Sequence, residues 1–436
     1  MKCISCGTDN NLRDRTENQG RCKNCGTPFA FEPTAMPVNQ RFTDVAFQKL
    51  LNDLSANDRV YFTKNQLFYA LAKRVRKTGI TTVGQFWVGY IGFLIPLTFF
   101  VILPLLSLEL QTGIFIVLLV YNIIWFIYLW LRSQSLNLLR RERLVQARAI
   151  RNLGIVLMLI GLGAVWLQQA FFAILLWLTG MTAVGLGMWQ ARRIPNMMEA
   201  SLPITPDLLD ALLEKWQNAH GFPPKLLEKA SFNDYFPIPG SDVTDYSFDR
   251  LVVCQSNDIA KMLIANNFHF EYNSGIVSIG GYPRTLFETV MTMAKRNPKL
   301  GVFVLHDCSP EGMLTLHRVK NDPNWFGGQD YLIVDVGISP RQILEAKRSV
   351  LVQSSEASMR ASLRLEPAIR QSLAAAELQW LDVGNYVLLE FFSPPKIIQA
   401  LSRSIYLGAQ LSTMEDRESD LIILGDDDFY GMETFG

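Results

Sequence analysis

FWVGYIGFLIPLTFFVILPLLSL, residues 86–108, runs without a single Asp, Glu, Lys or Arg. At about 1.5 Å per residue, a helix of that length crosses the roughly 30 Å hydrocarbon core of a bilayer. The run predicts a transmembrane helix. A second charge-free run covers 113–131, and two more follow at 152–167 and 170–189. Gln168-Gln169 is the only polar break between the last two, which predicts a tight helical hairpin; one long span with a re-entrant piece is the alternative. Residues 86–190 therefore read as four transmembrane helices. Composition agrees, since 49% hydrophobic residues and a mean hydropathy of +0.15 over 436 residues are high for a chain living wholly in water.

Orientation follows from the basic flanks, because loops rich in Lys and Arg stay in the cytoplasm. Lys73, Arg74, Arg76 and Lys77 precede the first run. Arg132, Arg140, Arg141, Arg143, Arg148 and Arg151 fill the second loop, and Arg192-Arg193 follow the fourth run. The first and third loops carry neither residue. Both ends and both large soluble parts are thus expected in the cytoplasm. The start, MKCISCGTDNNLRDR, lacks the apolar stretch of a signal peptide, so none is expected.

No ionisable side chain lies within a span, and Asn122 is the main polar residue at depth. Transport pathways are usually marked by such groups, so the bundle reads as an anchor. Pro96, Pro104 and the glycines Gly154, Gly161, Gly163, Gly180, Gly185 and Gly187 suit kinks and close helix contacts. Membrane lipid is the first expected partner, with homo-oligomer formation through the bundle left open. The net charge of +1, from 41 basic and 40 acidic residues, gives no global field that would favour nucleic acid.

At the other end of the chain, Cys3-x2-Cys6 and Cys22-x2-Cys25 have the spacing of a four-cysteine zinc ribbon. Each pair is followed by Gly-Thr, and glycine there permits the tight turn that lets backbone N–H groups face the thiolates. Residues 1–34 are expected to form this ribbon. Four thiolates fill a tetrahedral shell and leave no position for a catalytic water, so the zinc is expected to be structural, with iron as its competitor. Residues 35–80 then read as a cytoplasmic helical segment, and 196–245 as a helical linker. Helix-loop-helix patterns at 41–78 and 205–230 read as two amphipathic hairpins.

From Asp249 onward, short apolar strands alternate with helices, so 246–410 is predicted to be an α/β domain with a mostly parallel sheet. The strands are RLVVCQ (250–255), GIVSIG (275–280), LGVFVLHD (300–307) and YLIVDVG (331–337), with helices near 257–267, 284–296 and 311–321. Function in such folds gathers at the carboxyl ends of strands, here Cys254-Gln255-Ser256, Gly280-Gly281-Tyr282-Pro283, His306-Asp307-Cys308-Ser309 and Asp335-Val336-Gly337.

The order VVCQSNDIAKML, IVSIGGYP, VFVLHDCSPEG, VDVGISPRQI resembles the Toprim domain of the topoisomerase VI A subunit and its meiotic double-strand-break relatives. That family carries a glutamate at the first strand end, a Gly-x-Pro after the second and an Asp-x-Asp-Pro-x-Gly turn after the third. The resemblance implies magnesium held by those carboxylates. Gly281-Tyr282-Pro283 fits the second element, and Asp307, Pro310 and Gly312 fit the third. The departures are as informative: Cys254 or Gln255 stands where the glutamate belongs, and Ser309 replaces the second aspartate. Asp307 alone makes a weak magnesium site. The domain is therefore read as a degenerate Toprim-like fold, with Gln255, Gly281, Asp307 and Ser309 as ligand-binding candidates and no catalytic residue assigned. The simpler reading of Asp307 is a helix N-cap, and that of Cys254 and Cys308 a pair of buried structural thiols.

After Arg341 the sequence looks helical to Trp380, then gives a strand NYVLLEFF (385–392), a helix over 395–408, and an acidic flexible tail over 411–436. The leading functional reading is a membrane-anchored scaffold or regulatory protein with a protein partner. A metal-dependent enzyme acting on phosphate esters or nucleic acid, and a transporter subunit or assembly factor, are the alternatives.

Overall fold

The structure is a computed structural model that describes residues 1–36, 41–75, 83–104, 111–133, 140–166, 170–193, 202, 204–231, 234, 248–297, 299–328, 330–345 and 352–411. Gln168-Gln169, the end of the first apolar run and the acidic tail beyond Leu411 lie outside these residues. The chain divides into two compact units, one built from the residues before Arg76 and after Leu202, the other from the stretch between them.

In the first unit the N-terminal knuckles lead through α1 (Leu12–Glu17), started by the Asn11 cap, to α2 (Asp44–Leu54) and α3 (Lys64–Val75). The strand β1 (Phe62–Thr63) lies between those two helices. The two sequence flanks interleave. Strand β1 pairs in parallel with β2 (Leu226–Leu227), and Tyr61 exchanges two hydrogen bonds with the Asn266 side chain, at 2.7 and 3.0 Å. Asp44, fully buried, accepts from the backbone of Ala30 and Phe31 and lies 2.7 Å from His220 Nε2. Trp216 packs against Phe31 and Phe47, which also meet each other. The predicted hairpin at 205–230 is therefore half right. Pro206–His220 is helical, capped by Thr205 and ended at Gly221, but Pro223-Pro224 stop a second helix and Leu226–Leu227 becomes a strand.

The α/β part has four parallel strands, β3 (Arg250–Cys254), β4 (Ser274–Ser278), β5 (Gly301–Leu305) and β6 (Leu332–Asp335), in the order β4-β3-β5-β6. Alternation splits their side chains between two cores. Val252, Cys254, Ile276, Phe303, Leu305 and Val334 face one side, packed against helix Asn257–Ala265 and helix Pro394–Leu411. Leu251, Val253, Val277, Val302 and Val304 face the other, against helices Arg284–Arg296 and Pro310–Asn321. Burial on both faces explains the near-continuous apolar runs in sequence.

Two readings downstream need correction. The stretch after Arg341 is helical only in pieces, Pro340–Glu345, Glu356–Leu363, Pro367–Ser372 and Ala375–Asp382, with β7 (Gln353–Ser354) between the first two. NYVLLEFF is not one strand: β8 (Asn385–Tyr386) pairs antiparallel with β7, and Leu389–Phe391 turns into a single 3-10 turn. Tertiary pairing there overrides local propensity.

The second unit is helical throughout its described residues. Helix Val83–Leu97 runs on through a π turn at Thr98–Ile102 just after Pro96, which lacks the N–H to continue a regular ladder. Gln111–Ser133, Arg140–Trp166 and Ala170–Arg193 follow, so the basic loop read before the third run is helical from Arg140. Among the described residues two stretches are long and apolar enough to cross a membrane, Leu144–Leu162 and Ala170–Arg192. Phe86–Ile102 and Ile116–Leu131 are shorter apolar helices. Glycines set the spacing of the last two helices. A Cβ on Gly154 would stand 2.6 Å from the Gly180 carbonyl, one on Gly180 2.8 Å from the Gly154 carbonyl, and one on Gly187 2.8 Å from that of Ala147. Asn122 is buried, accepts from the Tyr90 hydroxyl at 2.9 Å and donates to the Leu118 carbonyl.

Candidate functional sites

The first site is the cysteine cluster. Two matching turns build it: Gly7 N–H donates to the Cys3 carbonyl and Gly26 N–H to that of Cys22, each at 3.0 Å, with both glycines at positive φ. The four sulfurs converge from the two knuckles, and all lie within 4.8 Å of one another. Cys3 Sγ is 3.6 Å from Cys25 Sγ, and Cys6 Sγ is 3.6 Å from Cys22 Sγ. Four thiolates around one ion at about 2.3 Å would have edges of about 3.8 Å, so the cluster can hold a metal ion. Thr8 and Thr27 hydroxyls sit 3.3 and 3.2 Å from Cys6 and Cys25, and buried Asn10 donates to Cys22 Sγ. These are the outer groups that orient sulfur ligands. Burial pushes the Cys3 thiol up to about 11, whereas the Thr8 hydroxyl draws exposed Cys6 down to about 6. Arg15 fixes the frame by a two-pronged pair with Glu32 at 2.8 and 2.9 Å.

The second site is the carboxyl end of the parallel sheet. The strand order reverses direction between β3 and β5, and there Gln255 and Asp307 emerge side by side. They are joined directly, since the Asp307 N–H donates to Gln255 Oε1 at 2.8 Å. Ser309 is the helix N-cap, accepting from Gly312 N–H at 3.0 Å, with Pro310 opening the helix. Asp307 is thus not the cap. Its Oδ1 instead accepts the Leu389 N–H at 2.7 Å. Gly281 belongs to a different turn at the end of β4, across β3 from Asp307. Ser278 ties that turn to Asn257 at 2.6 Å, and Gly281 adopts φ +84°. So the structure brings Gln255, Asp307 and Ser309 to one place and sets Gly281 apart.

Sequence reasoning missed Glu390, and it named Asp335 only as part of a strand end, not as the partner of His306. Glu390 arrives from the 3-10 turn with its Oε1 3.4 Å from Ser256 Oγ, and its Oε2 finds no hydrogen-bond partner among the described residues. The signal was a lone charge inside NYVLLEFF. Asp335 accepts from His306 Nε2 at 2.9 Å and from the Gly337 N–H at 2.8 Å. His306 is fully buried and its Nδ1 lies 2.8 Å from the Asp307 carbonyl, so both ring nitrogens face acceptors and the imidazolium fits best. Gly312 and Gly337 clear its space: a Cβ on Gly337 would stand 2.3 Å from His306 Nε2, and one on Gly312 2.1 Å from the Asp307 carbonyl.

Burial dominates the electrostatics. It pushes Asp307 up to about 6, and with the Asp307 charge it pushes Glu390 up to about 8. Burial would lower His306, but Asp335 more than offsets it; in return His306 holds Asp335 below the usual carboxylate range against its own burial. The Cys254 and Cys308 thiols, both fully buried, are pushed far up and are unreactive as placed.

The magnesium implied by the sequence resemblance does not fit these residues. Asp307 Oδ1, Gln255 Oε1 and Ser309 Oγ already have protein donors, and the Asp307 and Glu390 carboxyls, each 6% exposed, are shut away from the waters magnesium keeps in its shell. Among the described residues, the four cysteines form the one group of three or more potential metal ligands. No family model matches the chain, and no curated protein matches it.

Proposed function

We propose that this chain is a membrane-anchored cytoplasmic scaffold or regulatory protein. Its four transmembrane helices would cover 86–108, 113–131, 152–167 and 170–189, and its zinc ribbon and degenerate Toprim-like domain would bind a protein partner or ligand without turning it over. The observation that carries the reading is the interleaving of the two flanks: 1–75 and 202–411 make one body through the β1–β2 pair, Asp44–His220 and Tyr61–Asn266. Both flanks must then lie on one side of any membrane. The number of crossings is even, a condition that four spans meet and that Leu144–Leu162 with Ala170–Arg192 alone would also meet.

The surface of the helical unit supports lipid as its surroundings. Phe100, Val88, Phe171 and Ile174 are each at least 70% exposed, and they belong to a long series of outward-facing Ile, Leu, Val and Phe side chains. Water tolerates patches of that extent poorly. Lys73, Arg74, Arg148, Arg151 and Arg192 favour the cytoplasm for the common side. Zinc is the occupant that suits four thiolates best, and with no open position it would be structural. Binding is favoured over catalysis because the carboxylate an enzyme would use, Asp307, is 6% exposed and bonded to the chain itself.

Purification of the tagged full-length protein from detergent-solubilised membranes tests this reading. A partner retained by wild type and lost from Cys3→Ser is expected. Metal-dependent hydrolysis of a phosphate ester that disappears in Asp307→Ala would overturn it in favour of an enzyme.

A further inference from the structure

In parallel α/β sheets, ligands enter beside the point where strand order reverses. In this chain, that crevice is filled by residues 82 positions further along the sequence. Val387 and Cys308 exchange two backbone hydrogen bonds, at 3.0 and 2.9 Å, and Leu389 donates to Asp307. The turn that follows carries Glu390 down beside Ser256 and Asp307. The outer side of the same segment is held by α3. Gln66 Nε2 donates to the Phe392 carbonyl at 3.2 Å, Lys73 Nζ lies 5.9 Å from the centre of the Phe391 ring, and the Tyr69 hydroxyl accepts from Gln353 on the strand paired with β8.

We propose that residues 387–392 form a strap that seals the crevice with the chain's own Glu390, and that α3 latches the strap, so that displacement of α3 opens the crevice. The seat is poised rather than locked. Glu390 Oε2 is buried without a partner, and Asp307 and Asp258 both disfavour its charge. A buried, half-satisfied carboxyl costs stability, and it gives that cost back when the strap lifts. Helix α3 ends at Val75 and the first described helix of the helical unit starts at Val83, so α3 is the last described element before that unit in the chain. The strap and its latch stand whether or not the helical unit crosses a membrane; only the origin of the pull on α3 rests on the reading above.

Peptide-resolved labelling of the full-length protein in detergent by N-ethylmaleimide tests the proposal. Cys308 is covered by the strap, whereas Cys254 lies in the central strand β3 and reports on general unfolding. Gln66→Ala is expected to speed Cys308 labelling by about tenfold through loss of the single bond to the Phe392 carbonyl, its other side-chain bond, from the Thr63 N–H, being local to the start of α3, with Cys254 unchanged. Glu390→Gln, which removes the ionisable group from the seat, is expected to slow it. An unchanged Cys308 rate in Gln66→Ala, or Cys308 and Cys254 rising together, would overturn the latch; unchanged or faster labelling in Glu390→Gln would overturn the seat. Saturating magnesium is expected to leave the wild-type rate unaltered, and protection of Cys308 by magnesium would show that a cation, not the strap, closes the crevice.

Discussion

The cysteine cluster and the sheet crevice both concentrate acidic side chains, and they resolve the resulting repulsion in opposite ways. At the cluster, four thiols converge with two of them exposed, and a metal ion is the group that would make the arrangement favourable. At the crevice, Asp307 and Glu390 are buried, raised and covered by backbone from the same chain. One site asks for something from outside. The other has been closed from within, which is why equal numbers of suggestive residues do not make equal sites.

That contrast is broken most severely at the cluster. Structural zinc contributes about 10–16 kcal/mol in small thiolate modules, so Cys3→Ser or chelation should abolish metal content and unfold residues 1–32. Elemental analysis and hydrogen exchange would show it, and Arg250–Cys254 should keep its protection. Next in size is the packing around His306. Gly337→Ala drives a methyl into the imidazole and is expected to cost about 2–4 kcal/mol, read as a fall in denaturation midpoint.

Residues at the two sites were not equally legible in sequence. The knuckles announce themselves because Cys-x2-Cys-Gly-Thr is local, and all the geometry needed fits within two turns. The four sheet strands were found with starts within one residue and ends one or two residues too long, because burial of β3, β4 and β5 on both faces writes an apolar run. Glu390 was invisible as a partner of Asp307, since loop closure over 82 residues leaves no periodic trace, and the strand propensity of NYVLLEFF concealed the turn that delivers it. The interleaving of the two flanks was equally hidden, because it depends on β1 finding β2 across the whole helical unit; a common side for both ends was read from the basic flanks alone.

The pH response sharpens the comparison further. Asp307 and Glu390 bind protons more tightly folded than unfolded, so stability should fall as pH rises from about 4 towards about 8 and then level off. His306, also raised, contributes a loss in the same direction as pH climbs through its folded value. At the acid end the opposite sign applies: Glu32, held at about 2 by Arg15, gives stability that is lost as pH falls below about 4. Glu390→Gln should flatten the slope between about 6 and 8 and leave the variant about 1–3 kcal/mol more stable than wild type at the upper end, checked by denaturant titration across pH. The smallest effect is expected in the helical unit. Asn122→Leu leaves the Tyr90 hydroxyl without its acceptor and should cost about 0.6 kcal/mol in detergent unfolding, a typical value for one buried interhelical bond.

The most direct test of the central claim is protease protection in sealed vesicles of one orientation, with separate tags on the two ends of the full-length chain. Interleaved flanks require both tags to be cut from the same face, which the proposed topology makes the cytoplasmic one. One tag cut from each face would mean an odd number of crossings, which no single body built from 1–75 and 202–411 can accommodate.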